Sequence, residues 1–188
     1  LSRTDDGFFS VSHNYPVFLQ PHQGEASQQG LVDAMPESFR MLSEIAASEQ
    51  QSLGLIKQLP QGDVISQYLQ LQAKKVDILL QFVMAQQPQQ GSECQGLQFG
   101  GSHLLINSPT QLQTDQVYQA RLYIKAAQLA VFCLVEPRIV EPGAIESASE
   151  QYQLDILAIG EAEQEMLVRA SLLEQQKLLK LRQQARSQ

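Results

Sequence analysis

The chain has 188 residues, enough for one domain of ordinary size, or a smaller one with an appended element, and for a core without staples. Thirteen Lys and Arg stand against twenty Asp and Glu, a formal net charge of −7, and such an acidic surface disfavours nonspecific nucleic-acid binding. No apolar run approaches the roughly 20 residues that span a bilayer, so no membrane insertion is expected.

Cys94 and Cys133 sit in apolar, strand-like surroundings without metal-ligand spacing, and read as two reduced, buried thiols rather than a disulfide. The chain opens on "LSRTDDGFF", with neither an initiator methionine nor a charged-then-apolar leader. A trimmed chain and a cytoplasmic location are the expectations.

Residues 1–32 are rich in Gln, Ser, His and Pro, and only "FFSV" and "YPVFL" have strand character. Pro16 and Pro21 argue against a central strand, which leaves an edge strand or an extended N-terminal arm. His13, His22 and His103 are scattered without a paired carboxylate or cysteine, and no metal site is expected.

From Asp33 the pattern is helical, and residues 33–87 read as a helical hairpin. Pro36 suits a first helical turn, and Phe39, Leu42, Ile45, Ala46, Leu53 and Ile56 recur at helical spacing. "LPQGD", residues 59–63, breaks the helix, with Asp63 as N-cap of the next. In that second helix Ile65, Leu69, Gln72, Val76, Leu79 and Val83 follow alternating steps of four and three, a coiled-coil seam. A second row, Tyr68, Leu71, Ile78 and Phe82, lies beside it. The first helix can cover one stripe; the other must meet the rest of the chain or another copy of it. Gln72 is the kind of polar seam residue that fixes register and oligomer state.

"QQPQQGSE", residues 86–93, is a polar linker, and residues 92–188 form the next region. "ECQGLQF" and "HLLIN" are short strands, and "DQVYQARLYIKA" alternates Tyr118, Ala120, Leu122 and Ile124 against Gln119 and Arg121. "LAVFCLVEPRIVE" is a longer apolar strand with Pro137 at a bulge or bend; "EPGAIESASE" is a loop and "YQLDILAI" a last strand. Five or so short strands without intervening helices predict a small antiparallel barrel, in an α+β chain. A final helix places Glu161, Glu163 and Glu165 at its start and Lys177, Lys180, Arg182 and Arg186 at its end, which complements the helix dipole.

No catalytic set assembles. No serine sits in a Gly-x-Ser-x-Gly elbow, and His103 has no acidic neighbour in sequence. Gly100 and Gly101 are followed by a strand and not by Lys-Ser/Thr and a helix, so a phosphate-binding loop is excluded. The chain does not read as an enzyme.

"HLLINSPTQLQTDQVYQARLYI", then "AVFCLVE" and "YQLDILAIGEAEQEMLVRASLLEQQKLLKLRQQ", resemble in their order a PilZ domain, a six-stranded antiparallel barrel followed by a C-terminal helix. In that family a Leu-x-x-Gly/Asp turn between strands follows the ligand motif, and Leu112 to Asp115 has that form. The helical hairpin resembles the atypical, tetramer-forming branch, in which helices with heptad repeats drive self-assembly. The resemblance spans roughly residues 35 to 186.

Typical members bind cyclic di-GMP through an Arg-x-x-x-Arg segment and an Asp/Asn-x-Ser-x-x-Gly motif. The guanidinium groups grip phosphate and stack on guanine. Here the second motif falls on Gln98, Gly100 and His103, each a departure: a longer amide, a missing hydroxyl, and an imidazole where bare backbone is wanted. The register that puts Gly96 at the motif glycine brings Gly91 and Glu93 to the other positions. No arginine lies between Arg40 and Arg121. The resemblance therefore implies no cofactor at the usual site: an oligomeric scaffold, a tetramer by its branch, acting through an unidentified protein partner. A cyclic di-GMP receptor with an unconventional site, and a plain structural interaction domain, are the alternatives.

Overall fold

The computed structural model describes residues 11–86, 90–124, 129–140 and 150–186. In chain order the elements are β1 (Val11–Pro21), α1 (Gln28–Ala34), α2 (Glu37–Ile56), α3 (Gly62–Gln86), β2 (Ser92–Phe99), β3 (His103–Ser108), β4 (Tyr118–Ile124), β5 (Leu129–Ile139), β6 (Glu150–Ile159) and α4 (Glu161–Arg186). They divide into two compact units, Leu1–Ala34 with Gln90–Gln188, and Met35–Gln89.

The first unit is a closed barrel in the order β1-β2-β3-β6-β5-β4, with every pair antiparallel. The barrel, its C-terminal helix and the long helical hairpin ahead of β2 agree with the expected fold class.

The N-terminal arm does not. Residues 11–21 form β1, paired with β2 over Val11 to Leu19 and with β4 over Val17 to Pro21. Pro16 lies before the β4 pairing begins and Pro21 is the last residue of the strand, so neither proline interrupts a ladder on both sides. Tyr15, Val17 and Leu19 are buried while Pro16, Phe18 and Gln20 between them are less so, the period of two that a barrel wall requires. The hairpin is consequently an insertion after the first strand. Where the chain returns from it, Gly91 has φ 100°, and a Cβ there would overlap the carbonyl oxygen of Leu19, so only glycine fits.

Three local expectations also shift. Helix begins at Gln28 as the short α1, and Pro36 is the extended residue before α2 (φ −58°, ψ 144°), its carbonyl accepting from the N–H groups of Phe39 and Arg40. Without an N–H, Pro36 can open α2 but not continue α1. Gln61, at φ 64°, turns the chain into α3 two residues early, so Asp63 lies in the first turn rather than at the cap. Pro137 is no bulge: it pairs in register with Leu154, beyond Val135 where the β4 pairing stops. The irregularity on that ladder is one extra residue, Leu157, in β6.

The core fills the barrel. Val17, Phe99, Leu104, Ile106, Leu122, Val131, Tyr152 and Leu154 are fully enclosed, and α4 adds Leu167 and Ala170 to the same cluster. Cys94 and Cys133 are both free and buried. Burial pushes the Cys133 thiol up to about 12, and raises that of Cys94 against the opposing Ser108 hydroxyl.

An unfolded thiol ionises near about 8.5, so above that pH the unfolded chain releases a proton that the folded chain keeps. Stability should therefore fall with rising pH, by ~1.4 kcal/mol per unit for Cys133, until its folded value is passed. Denaturation midpoints at about pH 8 and about pH 10 should drop more steeply for the native chain than for Cys133→Ala. Equal slopes would reject this account.

Candidate functional site

The positions that the ligand motif would occupy lie at the β2–β3 turn. Phe99 ends β2 in the core, and the Gly100 N–H donates to the carbonyl of His103 at 3.1 Å, closing the turn. The Ser102 carbonyl accepts from the N–H of Ile156 in β6 at 2.9 Å, which fixes the outgoing side. The first turns of α4 lie over this loop. Gln164 Nε2 donates to the Gly101 carbonyl at 3.1 Å, and a Cβ on Gly101 would overlap the Val168 side chain. Gly101 thus has a packing role: bare backbone lets the helix approach.

Gln98 and His103 flank the turn but do not converge. Gln98 pairs across the strands with Leu105, after an extra residue, Leu97, in β2, and its carbonyl accepts from Tyr15 Oη at 2.8 Å. His103 is opposite Asp155, and its Nδ1 lies 3.1 Å from Ser102 Oγ. Asp155 is already engaged, by Arg138 Nε at 2.6 Å and Gln153 Nε2 at 2.8 Å. The Leu112–Asp115 turn is held from below: Tyr152 Oη accepts from the N–H of Leu112 and Tyr118 Oη from that of Gln113, each at 3.1 Å.

Arg121 belongs to another part of the barrel. It is buried on β4, where Nη1 donates to the Gln90 carbonyl at 2.9 Å and Nη2 to Gln20 Oε1 at 3.3 Å, with the guanidinium 6.0 Å from the centre of the Phe132 ring. Desolvation lowers its pKa, a cost that Tyr123 partly offsets. This cation ties the strand that leaves for the hairpin to the segment that returns from it. β4 is not a neighbour of β2 or β3 in the barrel, so Arg121 does not stand in for the missing arginine element.

Among the described residues no group of three or more His, Cys, Asp or Glu side chains could hold a metal ion. An open groove of about 630 Å³ is lined by Asn14, Tyr15, Pro16, Glu93, Cys94, Gln95, Asn107 and Pro109, and its thiol, Cys94, is buried with its pKa raised by desolvation. No helix among the described residues is long and apolar enough to cross a membrane.

The second unit carries the other candidate surface. Of the seam residues, Ile65, Leu69, Val76, Leu79 and Val83 are 39–64% exposed, and Gln72 is half-buried. Tyr68, Leu71, Ile78 and Phe82, in the parallel row, are exposed as well. The hairpin was expected to cover one of these rows; it covers neither. The least exposed face of α3 runs through Ser66, Ala73 and Leu80, seven residues apart. On α2, Phe39 is buried and Leu42, Leu53 and Ile56 are half-buried, whereas Ile45 of the expected apolar row is 48% exposed. Small residues at Ser66 and Ala73 were the overlooked signal, because a close helix contact can use them instead of the leucines.

No family model and no curated protein sequence matches the chain. Solved structures do. The architecture resembles that of a solved PilZ-domain structure with a helical bundle. A Xanthomonas campestris protein described as a tetrameric PilZ domain self-assembled via an unusual helical bundle superposes with a TM-score of 0.52 at 11% identity, covering 93% of this chain and 89% of that one. The Bacillus subtilis inhibitor of motility, MotI/DgrA, aligns over 45% of this chain and 42% of that one, with 10% identity and a TM-score of 0.40. At these identities the likeness is one of fold.

Gly101→Ala should cost about 1–3 kcal/mol through overpacking against Val168. The cost should shrink when Val168→Ala is added, as read by chemical denaturation. An undiminished cost in the double variant would mean that α4 does not seat on this turn.

Proposed function

We propose that the chain is a non-enzymatic, self-assembling PilZ-type scaffold in bacterial cyclic di-GMP-linked signalling. It does not bind the nucleotide through the usual motif, and it acts through a protein partner. The observation that carries this reading is the uncovered apolar surface of α3. Lettered as a heptad, Leu69, Val76 and Val83 are a positions, and Ile65, Gln72 and Leu79 are d positions. Tyr68 and Phe82 are then g, and Leu71 and Ile78 are c. Apolar residues thus extend from c through g, d and a, while only the e side is covered within the chain.

Burying an aliphatic side chain contributes about 1.5–3 kcal/mol. Five such residues in the seam of each copy can offset an association cost of about 4–15 kcal/mol. An assembly in which the a and d residues of several α3 helices meet accounts for their exposure in the single chain. The self-assembly described for the Xanthomonas protein of like fold supports this reading.

The ligand half of the proposal rests on chemistry. Gln98 offers an amide, Gly100 no hydroxyl, and His103 an imidazole opposite an engaged aspartate. A dianionic ligand there would lack the guanidinium pair that balances its charge.

Light scattering at tens of micromolar should give a mass of more than one chain. Leu69→Glu with Leu79→Glu should reduce it to the monomer while the barrel remains folded. A monomeric native chain would end the scaffold reading. Calorimetry with cyclic di-GMP should show no heat of binding; low-micromolar binding would favour a receptor with an unconventional site instead.

A further inference from the structure

The a and d seam of α3 accounts for one exposed row, but a second row on α3 and one on α2 remain. On α2, Met41, Ile45, Ser48, Ser52 and Leu55 follow steps of four, three, four and three, and all five are exposed. On α3, Tyr68, Leu71, Lys75, Ile78 and Phe82 follow steps of three, four, three and four, and are likewise all exposed. Rows of this spacing run straight along a helix and can interdigitate. The two step patterns are mirror images, so they match when the helices run antiparallel.

We propose that α2 of one copy docks antiparallel on the Tyr68–Phe82 row of α3 of a neighbouring copy. The inference rests on the self-assembly proposed above and names the surface that would join adjacent subunits outside the seam. One register aligns every member: Met41 with Phe82, Ile45 with Ile78, Ser48 with Lys75, Ser52 with Leu71, and Leu55 with Tyr68.

Chemistry fits that register at four of its five levels, and Ser52 against Leu71 adds no specific contact. Three pairs put an apolar side chain against an apolar one. Lys75, the one charged residue in its row, meets Ser48, whose small side chain leaves room for the lysine stem. Glu44 lies one turn from Ser48, is exposed, and has no ion pair within the chain among the described residues. It is positioned to receive the Lys75 ammonium. Docking α2 on α2 of a neighbour instead would leave Lys75 uncompensated and bring like charges of an acidic helix together. The α2 row is not covered by the same chain's own α3 row, because both are exposed within it; the less exposed residues are Phe39, Leu53 and Ile56 on α2, and Ser66, Ala73 and Leu80 on α3.

Cysteine cross-linking tests the proposal, since Cys94 and Cys133 are buried and do not compete. Differently tagged Ile45→Cys and Ile78→Cys chains are co-expressed, oxidised and run on a non-reducing gel. A heterodimer band is expected for the pair, with none for either variant alone. Glu44→Lys should weaken the band, as should Lys75→Glu, and combining the two changes should restore it. Absence of the heterodimer in a preparation that light scattering shows to be assembled overturns this contact and leaves the seam standing. A homodimer band from Ile78→Cys alone also overturns it, because the row would then face another α3. A monomeric preparation ends both proposals.

Discussion

Closure of the sheet by β1 is the constraint on which the remaining structure depends. β1 contributes both ladders at the seam of the barrel, one to β2 and one to β4. Without it those two strands would be open edges with unpaired backbone groups, and the apolar wall of Val17 and Leu19 would be missing from the core. The partner strands lie far downstream in sequence. That separation costs little, because loop-closure entropy rises only logarithmically with length. A barrel can therefore accept a large insertion between two strands that pair side by side. Arg121 and Gly91 secure the place where the insertion leaves and returns.

The same closure explains what became of the β2–β3 turn. Inward-facing side chains fill the barrel, and α4 contributes Leu167 and Ala170 to that interior. To reach there, α4 must pass over the turn, and Gly101 gives it the space. The bare backbone of Gly101 in this loop therefore serves helix packing. The hydrogen bonds around Gln98, Ser102 and His103 are all used for holding strands or the turn itself.

The hairpin follows a different logic. Its helices carry apolar residues on more faces than the unit buries. Ser66 and Ala73 are among the less exposed residues of α3, while most of its leucines, valines and aromatic residues are exposed. Had the large residues packed within the hairpin, the unit would be complete as a monomer. In the proposed assembly these exposed rows are covered, and Gln72 and Lys75 are polar groups that only certain registers can satisfy.

Much of this was legible from residue order alone. Alternation in "DQVYQARLYIKA", the heptad steps of α3 and the charge gradient of α4 each depend on local periodicity, and each element formed where its period placed it. The departures at Gln98, Gly100 and His103 are also matters of residue identity, readable without coordinates. What periodicity could not supply was partnership. Pro16 and Pro21 argued for an arm because a proline is harmful only where a strand is flanked on both sides, and the neighbours of a strand are set by tertiary pairing. The role of Gly101 appeared only once Val168, distant in sequence, was seen against it. By itself, the sequence determined which segments from α2 onward are helix or strand, since that follows from local side-chain properties. Only the tertiary structure decided that β1 closes the barrel and that both rows of α3 stay uncovered, because burial depends on which surfaces meet.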